Sequence, residues 1–150
     1  MLASNLDKNK YKNICIIDAN AKLAPKIKVS GGAKCNITNE LVTCNNYLGD
    51  REFVKELLEK FSKNDLLAFL NKNEQAKKIN PKIVKGTYFC NSSQDVIDMF
   101  TKITTHVKKY LNTTVLDINF DKHYKIKTDS KLIEAKKVVV ASGGLSYAML

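Results

Sequence analysis

The sequence predicts an α/β domain, and three observations carry that prediction. Ile14–Asp18 and Lys137–Ala141 are short apolar runs rich in β-branched residues, the composition of strands buried on both faces of a parallel sheet. Val96, Phe100, Ile103, Val107 and Tyr110 or Leu111 recur at intervals of three and four, which places one face of a helix. Thr114–Asn119, Tyr124–Thr128 and Leu132–Ala135 are short, partly alternating runs separated by turn residues, which reads as a three-stranded β-meander.

The elements follow in order. Met1–Leu6 reads as the end of a helix with no cap before it, and Asp7–Asn13 as a polar loop. Ile14–Asp18 is a strand that ends in an acid. Lys26–Asn39 is a loop by composition. Phe53, Leu57 and Phe61, then Leu66, Phe69 and Leu70, give two helices with a break and a fresh cap at Ser62–Asp65. Asn71–Pro81 is a polar connection, and Ile83–Val84 and Thr87–Phe89 are short strands around Gly86. Ser92 or Ser93 caps the clearest helix, whose first turn holds Asp95. The meander follows, and the last strand runs into Ser142-Gly143-Gly144.

At 150 residues the chain is one domain or a piece of one. Its hydrophobic content of 44% excludes a wholly disordered segment. No apolar run reaches the roughly 18–20 residues of a membrane span, and no signal peptide opens the chain, so a cytoplasmic location is expected. The net charge is 25 − 15 = +10. That balance favours anionic partners. However, Arg51 is the only arginine and the lysines are scattered, so a solvated lysine surface is expected rather than a nucleic-acid face. The four cysteines form no C-x-x-C pair, and neither His106 nor His123 lies at ligand spacing, so no zinc site is expected. Cys15 reads as a small buried hydrophobe, and His106 as a surface or packing residue on the long helix.

Three places suit chemistry. Asp18 stands where a Rossmann unit holds a ribose hydroxyl, with the glycine fingerprint about 20 residues earlier, which falls before Met1. The same acid also suits a plain strand end. Ser30-Gly31-Gly32 lets a backbone approach a phosphate or flat ring, with Lys34, Asn36, Thr38 and Asn39 as donors; an Asn/Gly-rich turn looks the same. Ser142-Gly143-Gly144 lies at a strand's carboxyl end, where open α/β sheets bind ligands, or is a simple turn. Tyr147 can stack on a flat ligand or merely pack.

At these residues the sequence resembles a family. VSGGAKCNITN at 29–39 is similar to the S-G-G-G-R-C-N-x-T-N signature of the HI0933-like, or aminoacetone oxidase, FAD-binding flavoproteins. VVVASGGLSY at 138–147 resembles that family's strand and A-T-G-G-L-S-Y-P turn, and GTYFCNS at 86–92 its G-R-x-F-P-x-S. The order and spacing of the three agree over almost the whole chain. Departures are Ala24-Pro25 for Gly-Arg, Ala33 for glycine, Lys34 and Thr87 for arginine, and Cys90 for proline.

The resemblance implies a partial Rossmann-like FAD-binding domain over 1–150 with a β-meander, its first strand and glycine fingerprint lying before Met1. An inserted domain and a closing segment would lie beyond Tyr147. It implies FAD as cofactor, with NAD(P)H as a possible electron donor in the complete enzyme, whose missing remainder would be the partner of this chain. The substrate is a small molecule that the resemblance does not specify. Carried over, the cofactor-binding residues are Asp18, Lys26, Ser30, Gly31, Gly32, Asn36, Val115, Gly143 and Gly144. Asp18 would hold the adenosine ribose and Val115 would meet adenine through its backbone. Cys35 is expected to have no redox role, because no thiol lies close to it in sequence. No catalytic residue is indicated. The expectation is therefore part of an FAD-dependent oxidoreductase. Its rivals are an inactive remnant that does not bind FAD, and a basic nucleic-acid-binding module.

Overall fold

The computed structural model describes residues 1–32, 34–72 and 82–143. The connection expected beyond Lys72, together with Ala33, Gly144 and Tyr147, lies outside the described residues. The α/β class holds: helices alternate with short strands, and both parallel and antiparallel pairing occur. The chain divides into two compact units, Met1–Cys15 with Lys22–Lys108, and Ile16–Ala21 with Lys109–Leu150.

The first unit opens with α1 (Leu2–Asn5), whose first carbonyl, that of Met1, accepts from Ser4 Oγ at 2.6 Å. Strand β1 (Cys15–Ile17) is where the sequence places it, but it is not buried on both faces. Cys15 is exposed, and Ile16 and Ile17 are half-buried. The expected Lys26–Asn39 loop holds two elements. Pro25, whose fixed φ suits a first helical position, starts α2 (Pro25–Val29). β2 (Asn36–Asn39) exists because it finds β4 as a partner.

α3 (Arg51–Lys60) is capped by Asp50, which accepts from Phe53 N at 3.1 Å. α4 (Lys63–Lys72) starts at the expected break. There Ser62 N donates to Asp65 Oδ2 at 2.8 Å and Asp65 N donates to Ser62 Oγ at 3.2 Å. This reciprocal cap satisfies two donors that a helix start leaves open. The Ser62 hydrogen bonds also hold the Asp65 carboxyl below its ordinary range.

β3 (Lys82–Val84) and β4 (Thr87–Phe89) form a hairpin across Lys85-Gly86, both at positive φ (50° and 78°). A two-residue turn of that hand matches the strand twist. The sheet order is β2-β4-β3, antiparallel throughout.

α5 (Ser93–Ile103) is capped by Ser92 and carries Val96 and Met99 into the core. It ends earlier than the apolar period suggests. Thr104 Oγ1 turns back onto the Phe100 carbonyl at 2.6 Å, and Thr104–Val107 leaves the helix. His106 therefore sits exposed in a turn rather than on the helix. Lys108–Tyr110 becomes β5, because it pairs with β1. Lys108 N donates to Ile14 O, and Asp18 N donates to Tyr110 O, each at 2.9 Å; the bonds advance the same way along both strands, so the pair is parallel. The core of this unit is Cys35, Leu70, Cys90, Val96 and Met99, with Phe69 stacked on Phe100 at 6.0 Å.

The second unit is the expected meander: β6 (Val115–Asp121), β7 (His123–Thr128) and β8 (Leu132–Ala135), antiparallel in sequence order. The register sets Ile118 opposite Ile126 and Ile126 opposite Ile133, while Asn119 faces Lys125 and Lys125 faces Glu134. One face is therefore apolar and the other charged. Lys137–Ala141, expected as a last strand, pairs with no strand among the described residues, and Val139 and Val140 are exposed. β-branched composition favours an extended chain but does not supply a neighbour to bond to.

Candidate functional site

In the first unit the glycine turn is anchored from below. Cys35 N donates to Ser30 O at 3.0 Å and Lys34 N to Gly31 O at 3.2 Å, closing the chain on itself. Gly31 and Gly32 take φ of +59° and +62°, where an L side chain is strained. Their surroundings differ. A Cβ on Gly31 would collide with Asn36 Oδ1, so the Asn36 side chain is seated against Gly31. A Cβ on Gly32 would meet nothing within 4 Å, so that backbone lies open to an approaching group. Asn36 N also donates to Ser30 Oγ at 3.4 Å. Ser30, Gly31, Gly32 and Asn36 thus form one constellation.

Buried thiols hold its lower side. Cys35 and Cys90 are both in the core, and Cys90 N bonds to the carbonyls of Lys34 (3.0 Å) and Cys35 (3.3 Å). No thiol lies close to Cys35 in sequence, but the β2–β4 pairing brings Cys90, 55 positions away, next to it in space. Burial pushes both thiols up; Cys90 rises to about 11, with Cys35 and Asp95 adding to the effect of burial. Such thiols stay protonated and weakly reactive. Ser93 Oγ donates to Lys28 O at 3.2 Å, which ties α2 to α5. Lys26 lies exposed on α2, and Lys34 Nζ lies 5.8 Å from the Phe89 ring centre.

In the second unit Asp18 does more than end a strand. Its Oδ1 accepts from Asn20 N and Asn20 Nδ2, each at 2.9 Å, which fixes the turn after β1. The segment before β6 docks on that turn: Thr113 N donates to Asp18 O at 3.0 Å, and Asn112 N to Asn20 O at 3.1 Å. Asp18 and the start of β6 at Val115 are thus brought into one region. The sequence carried a signal for this in Asp18-Ala19-Asn20, an acid two residues before an amide. Gly143 has φ +77° and is exposed, as a turn glycine needs.

Among the described residues, open surface depressions also occur that the sequence does not signal. One of about 550 Å³ is lined by residues of β2 and the stretch after it, including Ile37, Asn39, Val42 and Tyr47. A smaller one of about 180 Å³ shares Val42 and adds Leu58, Ser62, Lys63 and Asn64. Among the described residues, no three His, Cys, Asp or Glu gather to hold a metal, and no helix is long and apolar enough to cross a membrane.

A family model described as the HI0933-like protein Rossmann domain matches residues 1–150. The chain is 30% identical over 151 residues to the ribosomal RNA dihydrouridine synthase of Escherichia coli, covering 97% of this chain and 37% of that protein. It is 28% identical over 147 residues to the protein of the same name from Haemophilus influenzae, covering 90% and 35%. The chain thus spans little more than a third of the length of these curated relatives.

Proposed function

Because the chain belongs to the HI0933-like Rossmann-domain family, an FAD-binding family, we propose that it forms part of the FAD-binding domain of an FAD-dependent oxidoreductase. One observation supports the reading most: Gly32 offers open backbone at positive φ, on a turn that Asn36 and buried Cys35 hold in place. Rigid backbone without a side chain is what a phosphate or flat ring needs for close approach. The residues present fit the group. Ser30, Gly31, Gly32 and Asn36 would face the cofactor, with Lys26 supplying positive charge. In the second unit, Asp18 and the Val115 backbone would hold the ribose and adenine, with Gly143 and Gly144 proposed as further cofactor-binding residues.

FAD supplies hydride transfer when bound; the protein's part is to hold and orient it. Asp18 would use Oδ2 for a ribose hydroxyl, since Oδ1 is engaged by Asn20. The relatives' name points to a substrate class. Making dihydrouridine adds a hydride and a proton across the C5–C6 bond of a uracil ring. We extend that class, a uridine in RNA, to this chain, with NAD(P)H as the electron source.

A flavin-fluorescence titration with FAD tests the reading. Saturable binding is expected. Asp18→Ala should weaken it by about 1–3 kcal/mol, the cost of an unmade hydrogen bond to a buried partner. Gly32→Val should weaken it further, by filling the open approach. A folded chain that ignores FAD is the remnant instead.

A further inference from the structure

β2 and β4 pair antiparallel, with Asn36 opposite Phe89. One position further along that register, Cys35 stands opposite Cys90. Cys90 N donates to Cys35 O at 3.3 Å and to Lys34 O at 3.0 Å, so the two backbones are still in contact there. Both side chains enter one core cluster with Leu70, Val96 and Met99. We propose that Cys35 and Cys90 are a modification site, a dithiol that hydrogen peroxide closes into a disulfide beneath the glycine turn.

The spacing suits the bond. Opposed residues of a hydrogen-bonded antiparallel pair hold their Cα atoms about 5.5 Å apart. Disulfides span roughly 4.4–6.8 Å between Cα atoms. Cys35 also adds to the raised proton affinity of Cys90, as a neighbouring thiol does. A single buried cysteine is ordinarily a small apolar side chain. Here a second one faces it across adjacent strands. It arises where this chain departs from the family it resembles, with Cys90 in place of proline. Proline has neither an N–H nor a thiol. Cys90 brings the donor that bonds to Lys34 and Cys35, and a sulfur beside that of Cys35.

Cys35 is reached first, at 6% exposed against 0% for Cys90. Its thiolate attacks one oxygen of the peroxide, the O–O bond breaks, and the released hydroxide takes up a proton as water. Cys35 is left as a sulfenic acid. The Cys90 sulfur then attacks the Cys35 sulfur. The S–S bond forms, the S–O bond breaks, and the hydroxyl leaves with the Cys90 proton as a second water. The two thiols lose two electrons and the peroxide gains them. Burial keeps both thiols protonated, so closure is slow and answers sustained oxidation rather than a brief pulse. Cys35 N also closes the glycine turn on Ser30 O at 3.0 Å, so the disulfide ties that turn covalently to the end of β4.

The test is prolonged exposure of the full chain to hydrogen peroxide, followed by alkylation and mass spectrometry. A chain carrying Cys15→Ser and Cys44→Ser, which removes the two more exposed thiols, should lose the mass of two hydrogens without dimerising. Dithiothreitol should restore that mass. In the unsubstituted folded chain, Cys35 should be found linked to Cys90. When the same chain is oxidised in urea, Cys35 should instead link mainly to Cys44, its nearest thiol in sequence, because the shorter loop closes at lower entropic cost. Hydrogen exchange at the Cys35 amide should slow in the oxidised chain. Two thiols still open to alkylation, a sulfinic acid at Cys35 without a linkage, or a Cys35–Cys44 linkage in the folded chain overturns the proposal. So does a Cys35–Cys90 linkage that forms as readily in urea, since the fold would then play no part. Faster exchange at Cys35 after oxidation would overturn the tie to the turn.

Discussion

The two turns that carry candidate cofactor-binding residues, Ser30–Asn36 in the first unit and Asp18–Asn20 in the second, are held by different physics, one half of the comparison by packing and the other by hydrogen bonds. The first rests on a dry core: Cys35, Cys90, Val96 and Met99 are all buried. The second rests on hydrogen bonds, from Asn20 to the Asp18 carboxylate and from Thr113 and Asn112 to backbone carbonyls. Its unit buries Thr113, Ile126 and Thr128 but leaves Leu116, Ile118 and Phe120 of β6 exposed. A glycine turn has no side chains of its own to set its shape, so packing beneath it must do so. An acid can organise its own loop.

The largest expected effect tests the packed half. Met99 is 1% exposed, so Met99→Ala should cost about 2–5 kcal/mol in urea unfolding through a cavity. Phe120, 67% exposed, should cost under about 1 kcal/mol when made alanine. Equal effects would remove the contrast between packed and open regions.

Next comes the polar half. Thr128 Oγ1 donates to Lys131 O at 2.7 Å and accepts from Lys131 N at 2.9 Å, in a buried position. Thr128→Val should cost about 1–3 kcal/mol, measured as a loss of the meander's hydrogen-exchange protection.

Alkaline pH separates the halves again. Cys90 keeps its proton to about 11 in the native chain against 9.0 ordinarily. Between those values the unfolded chain binds fewer protons, so stability falls as pH rises, by up to about 1.4 kcal/mol per unit. Below pH 9 this contribution is fully present. Cys90→Ala should lower stability at pH 8 but remove that extra slope, read from urea melts at pH 8 and pH 10.5.

The smallest effect discriminates two adjacent glycines. Gly32→Ala should cost about 1 kcal/mol, from positive φ alone. Gly31→Ala should cost more, because its Cβ meets Asn36 Oδ1. Asn36→Ala should recover that excess, giving a coupling of about 1 kcal/mol in a double-mutant cycle. Additive losses would show that Asn36 does not brace the turn.

What could be read from the sequence was what is encoded locally. The Ser92 cap, the break at Ser62–Asp65 and the meander's turns are short-range signals, and each sits where the residues put it. The end of α5 was not readable, because Val107 and Tyr110 continue the helical period while β1 claims Lys108–Tyr110 by pairing. β2 was hidden for the same reason: its partner is β4. α2 is five residues long, too short for a periodicity, and only Pro25 marked it. At the site, the glycine pair was visible because glycine is the residue that positive φ selects. The meeting of Cys35 with Cys90, and the depression lined by Asn39, Asn46 and Tyr47, depend on chain reversals that no local pattern states.

We propose that the Ser30–Asn36 turn faces a flavin cofactor. The most direct measurement is an NMR titration of the ¹⁵N-labelled chain with FAD, following each backbone amide. Saturable shifts are expected at Gly31, Gly32 and Asn36, with a second group at Asp18 and Val115. A folded chain whose Gly31, Gly32 and Asn36 amides stay in place at saturating FAD would contradict it.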